Sequence, residues 1–183
     1  MDFEELVEKR YSVRRYAGTP VERELIEKCV EAARLAPSAC NAQPWHFVAA
    51  DEPELVGRIA PLTSTAGVPI NSFVKQAPII VAVVTEKPNL SSRFGAAVKK
   101  TPFHLIDVGI AAEHFCLRAA ELGLGTCLLG WFDKEGVKEA LGIPRSKEVP
   151  LLITMGYPST DKVPQKKRKD LDTILDFNRY VVG

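Results

Sequence analysis

The stretch PIIVAVV, residues 78–84, is apolar without interruption after its proline, and mostly β-branched. A strand with no polar alternation has no face to give to water, so it belongs in the middle of a sheet covered on both sides. That requirement constrains the rest of the chain more than any other feature. With 183 residues there is room for one domain spanning 1–183, and the remaining segments must supply flanking strands and helices for both faces.

Those segments are readable. Asp2 to about Arg10 predicts a first helix with Phe3, Leu6 and Val7 on one face and acidic residues in its first turn. TPVE, Thr19 to Glu22, reads as a capping box with proline at the first helical position, followed by Leu25, Ile26, Cys29, Val30 and Ala33 at helical spacing. Trp45 to Ala50 reads as a strand, and Asp51 with Glu54 as the cap of a short helix reaching about Ala60. Residues 61–77 read as irregular, and 86–100 as polar and rich in turn formers. Thr101-Pro102 opens a long helix that Gly123 and Gly125 close, and Asp133 caps a short helix ending at LGIP. VPLLITMGYP predicts another strand, and the tail carries KKRKD and then a helical pattern from Leu171 to about Tyr180.

A net charge of +1 provides no global field to hold nucleic acid or an anionic membrane, so an anionic ligand must be caught locally. The acidic N-terminal segment does not read as a signal peptide, and no apolar run is long enough to cross a bilayer; a cytoplasmic protein is expected. Cys29, Cys40, Cys116 and Cys127 lack CxxC or zinc-finger spacing and read as reduced, mostly buried thiols. His46, His104 and His114 have no metal-ligand spacing, and no metal is expected.

Four stretches stand apart from plain core and plain surface. In RYSVRRY, alternation puts Arg10, Ser12 and Arg14 on one side of an extended segment, able to hold a phosphate or simply to form a solvated basic linker. PSACNAQPW sets Asn41 and Gln43 in a polar turn between prolines. GLGTCLLG has neither the spacing nor the strand–turn–helix setting of a dinucleotide fingerprint, although its glycines allow a backbone-lined ligand edge. The KKRK run, Lys166 to Lys169, read by itself, is a solvated tail.

Taken in order, the four stretches resemble the FMN-dependent nitroreductase family over nearly the whole chain. The resemblance implies an α+β fold, a mixed central sheet flanked by helices, in a homodimer with flavin sites at its interface. It implies that Arg10, Ser12 and Arg14, with Tyr11 among them, bind the FMN phosphate and ribityl chain, joined by Lys166 and Arg168 from the tail. Pro37, Ser38, Ala39 and Asn41 would complete the neighbouring subunit's site, and Cys127, Leu128, Leu129 and Gly130 would run along the flavin edge. Asn71 and Lys75 are the counterparts of an asparagine and a lysine that the family's middle region often supplies. Residues 86–100 fall where the family's substrate-selecting lid varies.

No side chain is expected to act as a catalytic acid, base or nucleophile, because a flavin carries the hard chemistry itself. The resemblance implies NAD(P)H as hydride donor and an electron-poor acceptor, a nitroaromatic or quinone, taken in turn. Dehalogenation, enone reduction or dehydrogenation on the same scaffold, and a non-catalytic FMN-binding redox module, are the alternatives.

Overall fold

The computed structural model describes residues 1–64, 70–86 and 101–180. Four strands, β1 (Trp45–Ala50), β2 (Ile79–Thr85), β3 (Gly125–Leu129) and β4 (Glu148–Gly156), form a sheet in the order β1-β2-β4-β3. All three pairings are antiparallel, and the parallel component of the expected mixed sheet is the isolated bridge between Ser12 and Thr126. The apolar run is the inner strand β2, as its composition requires. Its even residues Ile80, Ala82 and Val84 enter one core cluster and its odd residues Ile79, Val81 and Val83 the other.

The five described α-helices divide between those faces. On the first, α3 (Pro53–Ile59) and α5 (Lys134–Leu141) contribute Val56, Ile59 and Val137. On the second, α2 (Arg23–Arg34) and the long α4 (Phe103–Glu121) bring Cys29, Ala33, Val108 and Phe115 against the sheet. Phe115 is fully buried and stacks on Phe47, with ring centroids 6.0 Å apart. The remaining helix, α1 (Phe3–Lys9), begins in a capping box formed by Asp2 and Glu5.

Several local expectations are corrected. The TPVE capping box does not form: Glu22 is the N-cap and makes no side-chain capping bond, because the chain stays extended to seat Val21 in the core before α2 starts. Asp51 does not cap α3, since its carboxylate is taken by the Arg23 guanidinium; the N-cap of α3 is Glu52. Gly123, at φ +80°, closes α4, whereas Gly125 opens β3. A Cβ on Gly125 would lie 2.4 Å from Val13 Cγ2, so this glycine serves close packing instead of a turn. The tail forms one short 3-10 turn, Leu171–Thr173, in place of a helix to Tyr180. Residues 70–76 contain a 3-10 helix, Ser72–Gln76, while the segment from 87 to 100, read as a variable lid, lies outside the described residues.

Candidate active site

The chain leaves α1 in an extended conformation at Arg10, φ −66° and ψ 123°. Burial of Val13 and a bond from its amide to the Thr126 carbonyl, 2.9 Å, hold this segment along the outer edge of β3. Ser12 and Arg14 flank buried Val13 and are exposed, which is the alternation expected of them.

At the far end of the sequence, Lys166 Nζ donates to the Val7 carbonyl at 2.7 Å. A carbonyl in the last turn of α1 is a natural acceptor for a lysine. The contact brings the tail beside the first helix, so that Arg10, Lys166 and Arg168 line one open groove of about 870 Å³. Loss of hydration, followed by the nearby positive charges of Arg10 and Arg168, holds the Lys166 ammonium below the usual lysine range. Glu5, Glu8 and Glu113 share the groove wall, and Glu5 is already engaged in the α1 capping box. Arg10 Nε is buried and lies 3.0 Å from Glu113 Oε1, yet without the alignment of a hydrogen bond. An under-bonded guanidinium beside two further cationic side chains is a donor set suited to a phosphate.

A second group lies along β3. Cys127 and Leu129 point into the core, while Leu128 is exposed. Because Thr126 turns its carbonyl outward to Val13, Leu128, two residues on in an edge strand, also turns its main-chain groups away from β4. The Arg14 guanidinium sits over Phe73, 5.9 Å from the ring centroid. Burial pushes the Cys127 thiol up, opposed by Arg14 and a bond with Ser12; Cys29 and Cys116 are pushed up to about 12, chiefly by burial. Such thiols are poor nucleophiles at neutral pH. Asn71 is buried, and its Nδ2 donates to Thr63 O at 2.9 Å and Trp131 O at 3.1 Å, tying the turn after Gly130 to the first core layer. Lys75 is not with it: it lines a separate cavity of about 580 Å³ that also takes in Asp51, Pro53 and Pro78.

The third group is the loop after α2. Cys40, Asn41 and Gln43 all have left-handed backbone, φ 53°, 51° and 45°, each at a cost of roughly 1 kcal/mol or more. Gln43 N donates to Ser38 Oγ at 2.9 Å, and Ala39 N donates to Asp107 Oδ1 on α4 at 3.1 Å. Pro37, Cys40 and Asn41 are exposed, and no loop residue lines the groove of Arg10, Lys166 and Arg168. Glu113 and Asp107 were absent from the sequence-derived site; the legible signal for Asp107 was an acid within the apolar stretch LIDVGI.

The nitroreductase family model matches residues 7–68 and 65–157, which spans most of the chain. The chain belongs to the nitroreductase family. The matched span takes in the Arg10 segment, the loop after α2 and β3 of this nitroreductase-family protein, and stops short of Lys166 and Arg168. YdgI of Bacillus subtilis, provisionally named an NAD(P)H nitroreductase, is 27% identical over 96% of this chain and 97% of its own length. The solved FMN-dependent nitroreductase of Clostridium difficile R20291 superposes with a TM-score of 0.75 at 27% identity, covering 96% of this chain and 98% of that one. Iodotyrosine deiodinase 1 of Mus musculus is 26% identical over 95% of this chain and 68% of its own.

Proposed function

We propose that this protein is an FMN-dependent oxidoreductase, drawing electrons from NAD(P)H and reducing nitroaromatic or quinone-like acceptors in a ping-pong cycle. The carrying observation is the convergence of Arg10, Lys166 and Arg168, from opposite ends of the sequence, on one groove. FMN, when bound, supplies the ring that accepts hydride from the donor and passes electrons to the acceptor. The chain supplies the setting. Arg10, Lys166 and Arg168 hold the phosphate, with Ser12 and Arg14 beside them. Outward main-chain groups of Leu128 and Gly130 offer hydrogen bonds to the ring edge, where negative charge develops on reduction. Asn71, whose Nδ2 is bonded to two carbonyls, presents Oδ1 as an acceptor.

Pro37, Ser38, Ala39 and Asn41 complete the site of a second copy. Their absence from the phosphate groove of their own chain supports this, as does the exposure of Leu105 and Ile106 on α4. Sedimentation at micromolar concentration is expected to give about 40 kDa, twice the 20.1 kDa chain mass. A flavin-loaded monomer would refute the shared site.

The purified protein is expected to be yellow, to release FMN on denaturation, and to oxidise NAD(P)H for many cycles per flavin with a nitro acceptor. A colourless preparation that fails to take up added FMN would overturn the reading. Similarity to iodotyrosine deiodinase 1 supports reductive dehalogenation as a second reading. Halide release from a halophenol under reducing conditions, without turnover of nitro acceptors, would select it. FMN binding with neither activity would leave a redox module.

A further inference from the structure

Asp107 occupies a costly position: the residue is 4% exposed, on a helix whose neighbouring residues are apolar. Its Oδ1 accepts from Ala39 N across 68 residues of sequence, and its Oδ2 is buried with no hydrogen-bond partner among the described residues. For folding alone this is a poor choice, since an under-bonded buried carboxyl is commonly matched or bettered by an apolar group of similar size. Ala39 opens the 3-10 turn containing left-handed Cys40 and Asn41, with left-handed Gln43 following. Backbone held in three sparsely populated conformations needs an external constraint, and the amide of Ala39 is where α4 applies one.

We propose that Asp107 is a positioning residue for the flavin site: through the Ala39 amide it sets the loop of residues 38–43 in the geometry that completes the site. The proposal rests on the reading that this loop serves FMN. It separates two roles of α4: Phe115 and Val108 hold the sheet, while Asp107 presets a ligand-binding loop and leaves less ordering for the ligand to impose.

The test is titration of apoprotein with FMN, alongside apoprotein melting, for wild type, Asp107→Asn, Asp107→Ala, Ala39→Pro and Arg168→Ala. Asp107→Asn retains the Oδ1 acceptor and is expected to bind FMN within about three-fold of wild type, while Asp107→Ala weakens it about ten-fold. Ala39→Pro deletes the donating amide where extended Ser38, φ −147° and ψ 154°, accommodates a following proline; it is expected to match Asp107→Ala. The double variant should be no worse than either single change. Lower melting temperatures with wild-type FMN affinity in Asp107→Ala and Ala39→Pro would reduce Asp107 to a fold residue and overturn the proposal. If Asp107→Ala does not fold, the Asn and Pro variants carry the same comparison. A loss of affinity in Arg168→Ala, without one in the other variants, would sink the proposal and leave the flavin reading intact; no FMN binding by wild type would sink that reading itself.

Discussion

The inner strand β2 and the C-terminal tail both carry spaced apolar side chains, yet only β2 buries them within its own chain. Every β2 residue from Ile79 to Val84 is at most 3% exposed, with alternate side chains supplied to two core clusters. In the tail, Leu171, Phe177 and Tyr180 are 68%, 78% and 85% exposed, and a helical spacing yields one 3-10 turn. The difference is the presence of an opposing surface. A strand gains partners on both sides and layers above and below, whereas a short amphipathic helix is marginal until its face is covered. What anchors the tail is polar: the Lys166 bond to α1, which places charges beside the N-terminal segment.

The strongest challenge to this contrast is to truncate one aromatic in each region. Phe115→Ala, at a fully buried site, is expected to cost about 3–5 kcal/mol in denaturant unfolding. Phe177→Ala should change apoprotein stability by less than about 0.5 kcal/mol. A comparable loss in both would mean that the tail is packed in the assembled protein after all.

The tail's contribution should instead appear in cofactor binding. Arg168→Ala and Arg10→Ala are each expected to weaken FMN binding about ten- to a hundred-fold, as loss of a charge-assisted bond worth roughly 1.5–3 kcal/mol. Apoprotein stability should hardly change for Arg168→Ala, because the residue is exposed. Since both residues line one groove, the double variant should fall short of the sum. Arg14, over Phe73 and outside that lining, should add to Arg168→Ala; sub-additivity there would put all three on one phosphate.

Lys166 sharpens the comparison through pH. Its depressed folded-state pKa disfavours the charged form, so that contribution to apoprotein stability is present above the ordinary lysine value and lost as pH falls through the lowered one. A bound phosphate favours the charged form, so FMN affinity should fall as pH rises through the lowered value. Lys166→Arg is expected to abolish that fall in titrations across the alkaline range; its persistence would assign the proton elsewhere.

The smallest effect belongs to the Arg23–Asp51 pair. Arg23, by hydrogen bonding and charge, holds Asp51 below the usual carboxylate range, so its contribution is complete above the unfolded-state value and disappears as pH falls through the lowered one. Asp51→Asn should lower stability by about 0.5 kcal/mol near neutrality and by nothing in acid, measured by thermal melts at both pH values.

Legibility followed the range of the interaction. The β1 boundaries, the Asp133 cap and the central position of β2 were readable because alternation, a local side-chain bond and an uninterrupted apolar run are properties of neighbouring residues. TPVE and Asp51 were misread for the opposite reason: each matched a local capping pattern, and burial of Val21 and the charge of Arg23 prevailed. At the candidate site the basic residues of the groove were legible, but Glu113 beside Arg10 was not, since nothing in a helix sequence announces a partner at the end of α1, far away in the chain.

By itself, then, the sequence determined a doubly covered sheet, its principal helices and the family to which the chain belongs, because side-chain periodicity and short motifs survive without coordinates. Tertiary structure alone decided that Gly125 is needed for Val13, that Lys75 stands in a different cavity from Arg10, Lys166 and Arg168, and that Asp107 accepts from the Ala39 amide in the loop after α2. It also left the tail's periodicity unused. Those outcomes depend on which distant surfaces meet, and the free energy of burial is realised only where they do.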